Sequence, residues 1–441
     1  GRHAWITWDN TNMPWDEATL WNASITADGT IEDIKKVAGG TIDKQKISVQ
    51  QPRFSASGEL YFVSDESGWW NIHNIKNEVE TNLLPLEAEF GQPHWGFGLC
   101  NFKFLDDEHL ICIYGIKNES HLAILDLNKG ELEDIDLPYT SISGVSLHEN
   151  ELVFMAASPT EFSGIVSLNL ASREATDIKK TTVLALEEGY FSIPETISFP
   201  SAGGEQSHGF FYPPANRAHA APEGAPPPLI VKSHGGPTGQ TSPALDLKIQ
   251  FWTSRGFAVL DVNYGGSTGH GRAYRTLLDR QWGIVDVEDC AAGARFLAQS
   301  GRVDGAHLII SGGSAGGYTT LCALTFGDTF HAGASHYGIG DLSALASDTH
   351  KFESRYLERL VGPWPLAKAL YHDRSPIHFA DRLDCPVIFF QGLDDMVVPP
   401  NQAETMVAAL RKKGTPVAYL AFVGEGHGFR QAQNIKRALE S

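Results

Sequence analysis

Apolar and polar positions follow two different grammars along this chain. Over residues 1 to about 190, short alternating or apolar runs are broken by polar turns, and one phrase returns four times as RHAWITW, ELYFVSD, HLICIYG and ELVFMAA. The matching positions Ala4, Leu60, Leu110 and Leu152 lie 56, 50 and 42 residues apart, and each phrase leads to a partner run: TLWNASI, WWNIHNI, HLAILDL or GIVSLNL. Short strands recurring every 40 to 50 residues or so are the pattern of propeller blades. A sandwich would also supply short strands, but not the same phrase four times. The pattern therefore predicts β-propeller blades over 1–190. The chain opens inside this pattern, with Gly1 in a turn, so further blades are expected ahead of it.

From about residue 192 the grammar becomes alternating strand and helix. Apolar runs predict strands in PPLIVKSHGG, GFAVLDVNYGG, HLIISGG, HAGASHYG, PVIFFQG and VAYLAFVG. Helices are predicted in LKIQFWTSRG, DVEDCAAGARFLAQSG, GGYTTLCALTFG, NQAETMVAALRKKG and NIKRALES, with Gly256, Gly301 and Gly414 as stops. Near-continuous apolar strands alternating with helices require a mostly parallel sheet covered on both faces, a doubly wound α/β domain over 191–441. YPPANRAHAAPEGAPPP reads as an exposed loop joining hairpin-like first strands to that sheet. A few residues are expected beyond Ser441.

Composition narrows the function classes. A net charge of -19 opposes a nucleic-acid or anionic-membrane partner. No run approaches the roughly 18 apolar residues of a membrane helix. Cys100, Cys112, Cys290, Cys322 and Cys385 form no CxxC pair and no metal-like spacing, which suits free thiols in a reducing compartment such as the cytoplasm. The pattern calls for neither a metal nor a cofactor. A homo-oligomer is compatible with the sequence.

Candidate chemistry collects at the carboxyl ends of the predicted strands, where parallel sheets place working residues. In LIISGGSAGGYTTL, Ser314 sits between two glycine pairs where a strand becomes a helix. A flexible small-residue connection would account for this; so would a nucleophile elbow, in which Gly312 and Gly316 leave room for a tight turn. FFQGLDDMVVPP brings Asp394 and Asp395, LAFVGEGHGF brings His427, and SHGGP brings Gly236. The order Ser, Asp, His is that of an α/β-hydrolase triad. A serine hydroxyl needs a base, which His427 supplies, and the imidazole needs a carboxylate to fix its tautomer. Asp394 is expected over Asp395 because it lies nearer the strand end. The backbone N–H groups of Ala315 and Gly236 are the expected oxyanion donors.

SHGGPTGQTSP, DVNYGGSTGHGRAYR, GGSAGGYTTLCALTFGD, DTHKFESRYLERLVGP and FQGLDDMVVPPNQAE together resemble the catalytic domain of the prolyl oligopeptidase family of serine peptidases, in particular its aminopeptidase-like and acylaminoacyl-peptidase-like branch. The resemblance extends to YFVSDESGWWNI and LEAEFGQPHW in the first half. It implies an α/β-hydrolase fold preceded by a partial β-propeller, with Ser314, Asp394 and His427 as nucleophile, carboxylate and base. Many relatives carry a tyrosine where His234 stands, so this departure shifts weight onto the Gly236 N–H. Met396 replaces a polar or basic residue of proline-specific relatives, which argues against strict post-proline cleavage. The resemblance places substrate near Tyr337, Phe352, Glu353, Met396 and Val397. An aminopeptidase needs a carboxylate for the substrate ammonium; Glu87 and Glu89 share one face if their loop is extended, and Glu353 is the rival. The implied activity is hydrolysis of short peptides or aminoacyl amides from the N-terminal end, with the propeller as a size filter. An esterase or amidase acting on a small metabolite uses the same triad, and a non-catalytic scaffold would have to dispense with it.

Overall fold

The repeated phrase of the first half folds as a repeated hairpin. Ala4 pairs with Asn22, Leu60 with Ile75, Leu110 with Leu125 and Leu152 with Leu168, each across an antiparallel turn. The computed structural model describes residues 1–182, 184, 187 and 189–441. They divide into two units: Gly1–Leu184 with Ser242–Leu245 and Thr268–Tyr274, and Ala185–Thr241 with Asp246–Ser267 and Arg275–Ser441.

The first unit holds four four-stranded antiparallel sheets, each built from consecutive strands, the blade architecture of a β-propeller. Strand alternation decides which side chains are buried. In Glu151–Ala157, Leu152, Phe154 and Ala156 point inward while Met155 is exposed. They join Ile111, Ile113 and Leu122 of the preceding sheet in one apolar cluster, and Leu20, Ile47, Val49 and Phe62 link the first two sheets in the same way. The excursions 242–245 and 268–274 are not provided for by a single cut near residue 190. They pack with the blades through contacts such as Leu245 N–H to Ser158 O and Asn118 Nδ2 to Thr268 O.

The second unit is an α/β-hydrolase fold around an eight-stranded sheet. Its spatial order is Glu195–Pro200, Gln206–Tyr212, Ala258–Asn263, Leu229–Ser233, Leu308–Gly313, Ala332–His336, Val387–Gly392 and Val417–Phe422. The first two strands run antiparallel to their neighbours and the rest are parallel. All six strands read as apolar runs are present. The crossing helices are Leu247–Thr253, Val285–Gln299, Ala315–Phe326, Asn401–Lys413 and Ala432–Glu440. The chain passes from Leu229–Ser233 to its neighbour on one side and returns to Leu308–Gly313 on the other. That reversal opens a crevice at the carboxyl ends of these two strands, where SHGGP and the Ser314 turn emerge.

Candidate active site

The serine turn is enforced by close backbone approach. A Cβ on Gly312 would lie 2.2 Å from Gly316 O, and one on Gly316 would lie 2.0 Å from Ser233 O, distances no side chain tolerates. Ser314 itself adopts φ 56°, ψ -121°, a costly conformation for a non-glycine residue, held by its N–H donating to His336 O at 3.0 Å. The strand ends at Gly313 and the helix begins at Ala315, so the hydroxyl is presented on a sharp corner. The elbow geometry, not a flexible connection, explains the paired glycines.

His427 bridges this hydroxyl to a carboxylate. Its Nε2 lies 2.9 Å from Ser314 Oγ and its Nδ1 lies 2.8 Å from Asp395 Oδ2. The expectation of Asp394 is thereby corrected: the carboxylate on His427 belongs to Asp395. The strand-like pairing continues past Gly392, with Leu393 N–H donating to Phe422 O and Asp394 N–H to Glu425 O. The chain therefore turns inward one residue later than the strand end suggested, leaving Asp394 exposed and Asp395 only 2% exposed. The Oδ1 atom of Asp395 accepts the N–H groups of Val397 and Val398, both at 2.9 Å, which fixes the orientation of the carboxylate. Tyr337 packs its ring 4.8 Å from that of His427, and burial pushes its hydroxyl pKa up. It therefore buttresses the imidazole.

SHGGP lies directly against the serine turn, since a Cβ on Gly235 would sit 3.5 Å from Ser314 Cβ. Gly236 and Ala315 line the same small cavity as Ser314. As the first helical residue, Ala315 has an N–H with no intrahelical acceptor. His234 is turned away from this space. It stacks on Tyr264 at 4.3 Å, its Nε2 meets Ser267 Oγ at 2.7 Å and its Nδ1 meets Gly235 O at 2.8 Å. Burial lowers its pKa, so the neutral ring satisfies one donor and one acceptor.

The expected substrate residues separate. Val397 and Glu353 line the cavity beside Ser314, together with Trp282, Ile339, Leu345, Leu357 and Leu360, which the sequence reading missed. Phe352 and Met396 are not among its lining residues, and Met396 is 81% exposed. In the first unit, Glu87 and Glu89 do not share a face. Ala88 N–H donates to Leu86 O, which turns the loop so that Glu87 is exposed and Glu89 buried. Both Glu89 oxygens are taken by backbone, Oε2 by Trp70 N–H at 3.0 Å and Oε1 by Gly271 N–H at 3.1 Å. The idea that Glu89 offers its carboxylate to a substrate ammonium is corrected accordingly.

Residues 243–441 match the family model described as "Prolyl oligopeptidase family". Over its whole length the chain is similar to a solved puromycin-hydrolyzing peptidase of Mycobacterium tuberculosis, with 41% identity, a TM-score of 0.96 and 66% of that chain covered. It is similar in the same way to a solved puromycin hydrolase, with 38% identity, a TM-score of 0.94 and 66% of that chain covered. Among curated proteins, dipeptidyl aminopeptidase BIII of Pseudoxanthomonas mexicana is 33% identical over 218 residues, 48% of this chain and 32% of that protein. The chain thus spans about a third of that curated relative and about two thirds of the solved ones. A serine elbow after Leu308–Gly313, a carboxylate after Val387–Gly392 and a histidine after Val417–Phe422, within a sequence of this likeness, identify residues 243–441 as a domain of the prolyl oligopeptidase family of serine peptidases.

Proposed function

We propose that this chain carries out serine-peptidase chemistry on short peptides or aminoacyl amides, cutting from the N-terminal end through an acyl-enzyme on Ser314. The observation that carries the reading is the unbroken hydrogen-bond chain from Ser314 Oγ through His427 to Asp395. His427 Nε2 takes the hydroxyl proton as Oγ attacks the scissile carbonyl, while Asp395 holds the Nδ1 proton and stabilises the imidazolium. The N–H groups of Ala315 and Gly236 are the candidate donors to the oxyanion. The imidazolium then returns its proton to the leaving amine, and water repeats the sequence to release the acyl group. Relatives named as puromycin-hydrolysing and as a dipeptidyl aminopeptidase support an amide rather than an ester as the physiological bond. Five free cysteines support a reducing compartment such as the cytoplasm. Among the described residues no helix is long and apolar enough to cross a membrane.

A substrate panel tests the reading. Aminoacyl arylamides and puromycin, itself an aminoacyl amide, should be hydrolysed with higher kcat/KM than simple short-chain esters scaled to their intrinsic reactivity. Turnover of esters with no measurable cleavage of any amide would favour the small-metabolite esterase instead.

A further inference from the structure

We propose that Glu353 receives the α-ammonium of the very residue whose carbonyl Ser314 attacks, so that the site releases single N-terminal residues with apolar side chains. This inference rests on the peptidase reading above. The cavity beside Ser314 has a volume of about 40 Å³ and is walled by apolar side chains such as Trp282, Ile339, Leu357 and Leu360. Among the described residues lining it, Glu353 is the one carboxylate, and no lysine or arginine contributes. The other ionisable lining group, Tyr356, has its hydroxyl 3.1 Å from Thr238 N and 2.5 Å from Thr238 Oγ1. Glu353 is 24% exposed, and its ion-pair partner, His350 Nε2, is 3.5 Å from Oε2. At that distance the carboxylate keeps lone pairs for closer donors. Burial pushes the Glu353 carboxyl up, against the opposing influence of His350 and His427. A carboxylate held in an apolar slot with so little compensation is a receptor for a cation. Thr349 Oγ1, buried and without a hydrogen-bond partner, lines the same cavity and offers a second polar contact.

Chain geometry decides how many residues come off. From standard bond lengths and angles, an α-nitrogen lies about 2.5 Å from the carbonyl carbon of its own residue. The amine of a dipeptidyl substrate lies farther out by up to about 3.6 Å. A counter-ion that shares a cavity this small with the nucleophile suits the nearer nitrogen. The apolar walls then take the side chain, and charged side chains are rejected because nothing in the lining pairs with them except Glu353 itself.

The test compares wild type and Glu353→Gln on leucine p-nitroanilide, its N-acetyl counterpart and glycyl-leucine p-nitroanilide, with product masses from an unlabelled tripeptide. Wild type should favour the free aminoacyl substrate and shorten the tripeptide by one residue. In Glu353→Gln the ratio of kcat/KM for free over acetylated substrate should fall about 30-fold or more, as expected on removing one partner of a desolvated charge pair. Should that variant fold poorly, the wild-type pH profile serves: the profile for the free amine should carry an additional acid ionisation above the ordinary carboxylate range that the profile for the acetylated substrate lacks. Equal losses on both substrates, or release of dipeptides by wild type, would overturn the assignment while leaving a serine peptidase. Wild type inactive on every amide but active on esters would overturn the peptidase reading and this inference with it.

Discussion

Replacing Asp395 by Asn should disable the site, while the same change at Asp394 should barely register. In Asp395→Asn the new amide oxygen can still accept the N–H groups of Val397 and Val398, so the loop keeps its shape. The amide NH2 then faces His427 Nδ1, which in the wild type lies 2.8 Å from the carboxylate, and drives the ring proton to Nε2, where it can no longer accept from Ser314. The lost charge adds to this. At about 4 Å between charge centres and an effective dielectric of about 20, carboxylate and imidazolium attract by about 4 kcal/mol, or roughly three decades in rate. Tautomer and charge together predict a fall in kcat of about 10³ to 10⁴. Asp394 is exposed, so its loss should change kcat by no more than about twofold. The assay is steady-state hydrolysis of an aminoacyl arylamide, with circular dichroism and melting to show that both variants fold. A dead Asp394→Asn beside an active Asp395→Asn would refute the hydrogen-bond assignment.

Two further outcomes concern stability. Gly312→Ala and Gly316→Ala drive a methyl group to 2.2 and 2.0 Å from backbone oxygens, and each should cost at least about 2 kcal/mol in denaturant unfolding. The nearest atoms to a Cβ in Gly313→Ala belong to the Tyr337 side chain, at 3.0 Å, rather than to backbone, so this change should cost less; an inverted order would contradict the elbow packing. Burial pushes the Asp286 carboxyl up to about 6, above the roughly 3.9 of an unfolded chain. The folded form therefore favours the proton, so this group supports stability most below about pH 4, and the support is lost as pH rises through about 6. The melting temperature of wild type minus that of Asp286→Asn should fall across this window and flatten above it; a difference constant with pH would show that the carboxyl is not perturbed.

The sheet of the second unit was legible because its strands are near-continuous apolar runs leading to glycine, and because helices such as Asn401–Lys413 stop at a glycine, here Gly414 at φ 87°. Short elements escaped. Leu342–Asp348, Tyr356–Leu360 and Lys368–Asp373 span two turns or fewer, too little for a period of 3.6 to stand out, yet they supply Leu345, Leu357 and Leu360 to the cavity. Ser314 and His427 were readable from their glycine-framed turns. The choice between Asp394 and Asp395 was not, because it hangs on whether pairing stops at Gly392 or one residue later. Glu87 and Glu89 failed for a related reason: period-two reasoning holds only while the chain is extended, and the Ala88 N–H to Leu86 O contact breaks it. Nothing local announces that 268–274 packs with the blades, since the partners of Gly271 and Arg272, namely Glu89 and Asp65, lie about two hundred residues away along the chain.

The central claim is that Ser314 is a nucleophile activated by His427. Treating the chain with a fluorophosphonate and mapping the adduct by peptide mass spectrometry tests this most directly. The account predicts one adduct per chain, on the peptide containing Ser314, absent from Ser314→Ala and slowed by orders of magnitude in His427→Ala. An adduct retained in Ser314→Ala, or hydrolysis of aminoacyl arylamides that persists in that variant, would contradict it.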